Sequence, residues 1–392
     1  MPNYSADDIV DLKNKKKRRK RIIKLVVFLA AVMIAATLYA TKDSWIPELR
    51  GIGRQYKTIV NSGQLAKGNF PIEIDGETGY QLRYTDEKIA VLNDTYLYIY
   101  NTEGNLLKKR QHAYMNSVLC SANGRFLVYE NGGSKFTVED DETVFYNKAY
   151  DDKNILFVRI SSQGYTAAVT TSDNYNCEIS IYDNKGKFIY GRKCTEMVSD
   201  VSFINNSTGC KLSFVRAENG QLTTCVQELD LSSRNGEKWT SPGLNTLGLD
   251  LSATSESAFV YGDKACGFVD DSGKISSFYT YDGDTAGGAS AGGKAVVAVN
   301  NDDTRKYTAA LFADDKSEPL TIELDSPAVD VAVYGGLAYV MCRKHITAYD
   351  FDGKVRSTVD VSDSYDGFVK GKDHIFLKGY NKIDRIDFES GE

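Results

Sequence analysis

The chain is poor in the residues that most often carry reaction chemistry. Its 392 residues include three histidines, His112, His345 and His374, too few for most metal or acid–base sites. They stand far apart, and each reads as an isolated surface or strand histidine. A Gly-x-Ser-x-Gly elbow, a phosphate-binding glycine loop and an HExxH helix are all absent, which removes the commonest hydrolase, nucleotide and zinc-protease signatures. No C-x-x-C pair occurs among the seven cysteines, and no Cys/His spacing reads as a metal site. Seven is odd, so at least one thiol has no partner within the chain. Cys177 and Cys194 flank one candidate hairpin and Cys210 and Cys225 another, where cross-strand disulfides and reduced, buried thiols fit equally well. Only six prolines are present, and after residue 63 no helical period lasts beyond two turns.

The strongest positive signal lies at the start. Nine cations between Lys13 and Lys24 lead into LVVFLAAVMIAATLYA (residues 25–40), which carries no charge. With Ile22 and Ile23 the apolar stretch is about nineteen residues, roughly 28 Å as a helix, enough to cross a hydrocarbon core. Residues 22–41 are therefore expected to form a transmembrane helix. Lys20, Arg21 and Lys24 would anchor its basic end, with Lys24 snorkelling to the headgroups, and Leu25, Phe28, Ile34, Leu38 and Tyr39 would lie in the apolar span. Basic residues stay on the cytoplasmic side, which puts the tail, residues 1–21, inside and the remainder outside the plasma membrane. A cleaved signal needs small residues before the cut. Cutting after Ala40 leaves Leu38 three residues back, and cutting after Thr41 leaves Tyr39, so an uncleaved signal-anchor fits better.

The formal net charge of −6 hides an asymmetry. Residues 1–24 hold nine Lys or Arg against three Asp, and the rest holds 38 cations against 50 anions, a net of −12. A body that acidic is a poor binder of nucleic acid, whereas the basic leader suits an anionic inner leaflet. Trp45, Ile46, Leu49, Ile52, Tyr56 and Ile59 recur at helical spacing, predicting a juxtamembrane helix over 44–63 and a linker to residue 69.

From residue 70 onward the pattern becomes short apolar or alternating runs broken by Gly, Asn and Asp, which reads as all-β. One unit recurs: a strand ending in Asp or Asn, a turn usually holding Gly, then another strand. It is seen in YIYNTEGNLLKK (98–109), SIYDNKGKFIYG (180–191), GFVDDSGKISSF (267–278) and TAYDFDGKVRST (347–358). Asp or Asn caps its own turn, and Gly supplies the positive φ that closes it. The markers are Asn101, Asp140, Asp183, Asp230, Asp270, Asp314, Asp350 and Asp387, spaced 39, 43, 47, 40, 44, 36 and 37 residues apart. About forty residues is one four-stranded propeller blade. Asp387 is too near the C-terminus for a last strand, and FPIEI (70–74) can supply it and close the ring. The expectation is an eight-bladed β-propeller over residues 70–392, with seven blades as the alternative.

These repeats resemble the broad β-propeller superfamily of quinoprotein-like, YVTN and WD40-like repeats. They are similar in particular to single-pass, membrane-anchored envelope propellers of Gram-positive bacteria with no assigned function. The Trp-Asp dipeptide of WD40 blades and the quinoprotein blade signature are missing, so the resemblance implies no cofactor and transfers no site residue.

The remaining candidates have plain readings. Asp350-Phe-Asp352-Gly353 and Asp282-Gly-Asp284 lack the further oxygens and closing Glu of a calcium loop and read as hairpin turns. So does NNDD (300–303). Tyr96, Tyr98 and Tyr100 alternate as a half-buried strand would, although such a row can also stack on sugars. AGGASAGG (286–293) reads as a flexible inter-blade loop. Together these features predict a non-catalytic binding or scaffold protein for envelope proteins or cell-wall glycans. A propeller hydrolase or lyase with carboxylates at the central channel, and a transmembrane sensor, are the alternatives.

Overall fold

The computed structural model describes residues 59–61, 68–74, 79–218, 220–233, 236–315 and 318–388. Among them the chain forms eight antiparallel sheets, each built on strands consecutive in sequence. Their own strands cover residues 81–111, 117–149, 155–194, 197–240, 248–280, 284–324, 328–360 and 365–387, numbered here as blades 1 to 8. Within a blade the strands are lettered A to D in chain order. The A strands of neighbouring blades pack together around the axis, and that of blade 8, Tyr365–Lys370, returns to that of blade 1, Gln81–Thr85.

Ring closure is achieved by chain exchange. Blade 8 has three strands of its own, and Ile72–Glu73 pairs antiparallel with Lys382–Asp387 as its fourth. Ile72 is buried beside Ile383 in one apolar cluster. This joint removes the two sheet edges that an open array would leave unpaired. The count of eight settles the choice against seven.

The B and C strands are sandwiched between neighbouring blades, so both of their faces are covered. Leu337–Cys342 (LAYVMC) is buried at all six positions, and Ile89, Ala90, Val91 and Leu92 are buried in succession. A strand covered on both sides reads as a continuous apolar run, and each large side chain it buries contributes about 1.5–3 kcal/mol. The outermost strands alternate instead: Leu106–Gln111 exposes every second residue along its outer half.

Ile59–Asn61 is a short strand, parallel to the D strand of blade 7, Val355–Asp360. The helical period expected over 44–63 therefore does not extend through these three residues. The rest of that helix, the transmembrane run and its anchor residues lie outside the described residues. Among the described residues no helix is long and apolar enough to cross a membrane.

Candidate functional site: a polar funnel on the axis

Six of the A strands carry a β-bulge near their start, among them Met197–Ile204, Gly248–Ala253 and Ala328–Tyr334. A bulge inserts one extra residue and re-aims the side chain that follows it. In three blades that following residue is an aspartate: Asp200, Asp250 and Asp330. Asp200 is buried, and its Oδ1 accepts Val201 N–H at 2.7 Å and Arg159 Nε at 2.7 Å from blade 3. Its Oδ2 accepts Leu251 N–H of blade 5 at 2.9 Å. Asp330 repeats the device, with Oδ1 accepting Val331 N–H at 2.8 Å and Oδ2 accepting Phe368 N–H of blade 8 at 3.0 Å. Each carboxylate therefore ties its own bulge to the A strand of the next blade.

Two amides and a hydroxyl do similar work at other joints. Gln81 donates to Ser117 O at 2.7 Å and accepts Leu119 N–H at 2.9 Å. Asn300 brackets Ala328 at both its N–H and C=O, at 2.9 and 2.8 Å. Ser202 Oγ accepts Ala253 N–H at 3.1 Å.

Beyond the Asp200 joint the A strands of blades 3, 4, 5 and 6 wall a cavity of about 550 Å³. It is lined at the C-terminal ends of those strands, so it opens on the face that carries the A–B and C–D turns. Its surface is chiefly hydroxyl, amide and main chain, with Ser161, Gln163, Asn206, Ser252 and Ser290 among the contributors and Arg159 and Asp250 as charges. The A–B turn of blade 4 forms part of the rim. There Asn205, Asn206 and Ser207 all hold left-handed backbone, with φ of 50°, 53° and 66°. Successive non-glycine residues in this region are uncommon and strained. Ser207 Oγ holds the turn in place by donating to Gln163 Oε1 and pairing with the hydroxyl of Ser161, both of blade 3 and both at 2.8 Å.

Asp250 occupies the position equivalent to Asp200 and Asp330 but is exposed to the funnel. It makes no hydrogen bond or ion pair to the described residues. Asp250 thus lines the funnel, and its charged neighbour Asp200 is not part of the lining. Burial pushes the Asp200 carboxyl up to about 6, Arg159 opposes the rise, and Asp250 adds to it. Every contact of Asp200 is already committed, and the residue is shielded from solvent. A ligand in the funnel cannot reach it, so the pair lacks the two accessible carboxyl groups of a glycosidase-type site. None of the three histidines lines the funnel.

The eight turn markers occupy one structural position, the exit of the C strand in each blade. Asp183 Oδ1 accepts the N–H groups of Lys185 and Lys187, and Asp270 Oδ1 those of Ser272 and Lys274. Gly186 and Gly273 follow at φ of 79° and 81°. Asn101 and Asp350 make the same pair of bonds. Asp140 closes a tighter turn by accepting from Glu142 and Thr143, and Asp230 accepts from Ser232. Asp314 lies in the loop after the C strand of blade 6. Asp387 ends the last strand, where it contacts His374 and Arg385. The carboxylate of Asp350 is fully used by its turn and by Arg356.

Other sequence candidates resolve by packing. Tyr98 and Tyr100 are buried and stacked with ring centroids 6.2 Å apart, so that row packs the blade 1–blade 8 interface. His112 is buried, with Nε2 on Asn93 O at 2.9 Å and Nδ1 accepting Tyr114 N–H. Burial holds it below the usual imidazole range.

The glycine-rich segment is not a loop. Asp284–Ala291 is the A strand of blade 6, joined to Lys294–Asn301 through Gly292 and Gly293 in positive-φ conformation. A Cβ on Gly288 would stand 2.3 Å from the Tyr261 ring. The glycine is there because blade 5 packs an aromatic flat against the strand.

Cys177 and Cys194 are direct cross-strand partners, and both are buried. The Cys194 thiol hydrogen-bonds to Cys177 and holds it below the usual thiol range. Cys210 instead faces Leu229 and Cys225 faces Phe214. That register excludes the second disulfide considered from the sequence. The thiols of the described chain are all free. A further group escaped the sequence reading: Cys342 and His345 stand in C-x-x-H spacing, and the fold brings Asp325 to them.

The geometry defines an eight-bladed β-propeller with a polar axial funnel. Solved structures similar to it include BamB from Moraxella catarrhalis, at 9% identity over 83% of this chain and 100% of that one, with a TM-score of 0.54. Saccharomyces cerevisiae Sqt1 matches at 8% identity over 83% and 100%, with a TM-score of 0.61. The WD40 domain of SCAP from fission yeast matches at 8% over 81% and 97%, with a TM-score of 0.51. At such identities the likeness is one of fold. No curated protein matches the sequence. The chain belongs to the family of unknown function DUF5711, whose model matches residues 66–388.

Proposed function

We propose that this chain is a non-catalytic binding or scaffold protein, displayed outside the plasma membrane by its N-terminal helix, with an envelope protein as its partner. The observation that carries this reading is the funnel. Hydroxyl, amide and main-chain groups surround about 550 Å³ and can hold a polar peptide segment by hydrogen bonds. A rigid ring of blades keeps those groups in place and limits the ordering cost of binding. The uncharged run at residues 25–40 and the nine cations before it support the anchor and its orientation. A cell-wall glycan is the second class of ligand the same lining suits.

The test is photo-crosslinking in intact cells, using the full chain with a photoreactive residue at Ser252 or Asn206 and a control at Tyr175, which lies away from the funnel. The proposal expects discrete envelope-protein adducts from the funnel positions alone, lost when Ser290→Trp fills the cavity. Equal labelling at Tyr175, or adducts only with cytosolic proteins, contradicts it. A hydrolase or lyase at the same funnel depends on Asp250, the accessible carboxylate. Asp250→Asn abolishing turnover of an envelope polymer would replace the binding reading with that one.

A further inference from the structure

On the face opposite the funnel, three chemically different donors converge at the joint between blades 6 and 7. Cys342 ends the B strand Leu337–Cys342, His345 begins the C strand His345–Tyr349, and the two flank the turn Arg343-Lys344. Asp325 lies on the connection between the D strand Leu320–Leu324 and the A strand Ala328–Tyr334 of the next blade. One ligand atom from each residue falls within 4.8 Å of the other two. Asp325 Oδ1 is 3.5 Å from His345 Nε2.

We propose that Asp325, Cys342 and His345 form a zinc site clamping blade 6 to blade 7. A tetrahedral zinc ion with sulfur, nitrogen and oxygen ligands sets its donor atoms about 3–4 Å apart, so the ion needs only small side-chain adjustments here. The donor set selects the metal. A cysteine sulfur disfavours magnesium and calcium, which prefer all-oxygen shells, while mixed sulfur, imidazole and carboxylate suits zinc. The Cys342 side chain is buried, and its Sγ makes a long contact, 3.6 Å, to Ser326 O. Ser326 Oγ lies 3.0 Å from Asp325 Oδ1 and orients that carboxylate as an outer-shell partner would. Asp325 is exposed and His345 half-buried, which leaves the fourth position open to water. The cations Arg343 and Lys344 are exposed in the turn. The C-x-x-H spacing pre-forms two ligands on one rigid hairpin, so the ion has only the Asp325 loop left to order. The clamp is independent of the funnel and of its partner.

The experiment is titration of the metal-free full chain, purified in detergent, with Co²⁺ as the spectroscopic probe and then with Zn²⁺. The expected result is one Co²⁺ per chain, a visible tetrahedral d–d band and a near-ultraviolet sulfur-to-cobalt charge-transfer band, both removed by Zn²⁺. Cys342→Ser abolishes the charge-transfer band. His345→Ala and Asp325→Asn, at positions that are not part of the core, each weaken binding by about tenfold or more while their metal-free melting matches wild type. Absence of the charge-transfer band overturns the proposal, as does its persistence in Cys342→Ser. Equal affinity in both of the other variants does so too, even if Cys342→Ser fails to fold.

Discussion

Arg159 of blade 3 meets Asp200 of blade 4 at 2.7 Å, and the same carboxylate reaches on to the main chain of blade 5. One side chain therefore links three consecutive blades beside the funnel. Asp200→Asn keeps the shape but turns an NH₂ toward Leu251 N–H or Arg159. Urea denaturation is expected to show a loss of about 1–3 kcal/mol, and the loss should exceed that of Asp250→Asn, which breaks no contact with the described residues.

The same residue sets a pH dependence. Its folded-state carboxyl is raised to about 6, with burial as the largest cause, against an ordinary value of 3.8. The unfolded chain therefore releases the proton first. The stability linked to this group is complete below about pH 4 and is lost as pH rises through 6. The groups facing it are Arg159, Asp250 and, through Arg159, Cys120 and Tyr129. Denaturation midpoints measured from pH 4 to 7 should fall more steeply for wild type than for Asp200→Asn.

Lys370 gives the opposite slope. It is buried, its Nζ donates to the carbonyls of Gly371 and Lys372, and the rings of Tyr334, Tyr339 and Phe388 surround it. Burial lowers it to about 8 from 10.5, while Asp373 pulls the other way. The unfolded chain then holds the extra proton between these values, so the contribution improves as pH rises from 8 to 10.5. Lys370→Met should flatten that part of the stability curve relative to wild type.

Adjacent glycines of blade 6 separate close approach from mere flexibility. A Cβ at Gly288 strikes the Tyr261 ring, while one at Gly287 meets its nearest atom, Val331 Cγ2, at 3.4 Å. Gly288→Ala is expected to cost about 1–3 kcal/mol by overpacking, and Gly287→Ala less than about 0.5 kcal/mol. Thermal melting of the two variants checks the difference.

The cysteine pairs give a chemical test of register. Directly opposed residues on antiparallel strands lie within disulfide reach. Diamide treatment followed by peptide mapping should therefore find Cys177 joined to Cys194. A Cys210–Cys225 peptide would contradict the strand pairing.

The parts of this molecule that were legible in the sequence are those whose chemistry is local. Asp183 and Gly186 close one hairpin within four residues, and repetition of that unit exposed the blade length. Phe70 to Ile74 was readable as the closing strand because Asp387 left the last blade one strand short. What escaped depends on partners distant along the chain. Asp200 bonds Leu251 across 51 residues and Asp330 bonds Phe368 across 38. The only trace in the sequence was the repeated Asp-Val or Asp-Leu followed by a small residue, at 200–202, 250–252 and 330–332. The segment at 286–293 reads as a loop because glycine has weak strand propensity and the tyrosine that requires it, Tyr261, is brought near only by the fold. Cys342 and His345 do not read as a site for the same reason, since Asp325 joins them from the connection that leaves blade 6.

We propose that one hydrophobic helix displays this propeller outside the cell. Cysteine introduced at Tyr380, 79% exposed at the propeller surface, reports on one side of the membrane, and cysteine introduced at Asn3 on the other. With wild type as the background control, a membrane-impermeant maleimide applied to intact cells should label Tyr380→Cys at once and Asn3→Cys only after lysis. Labelling of Tyr380→Cys that also requires lysis, or labelling of Asn3→Cys without it, would contradict the account.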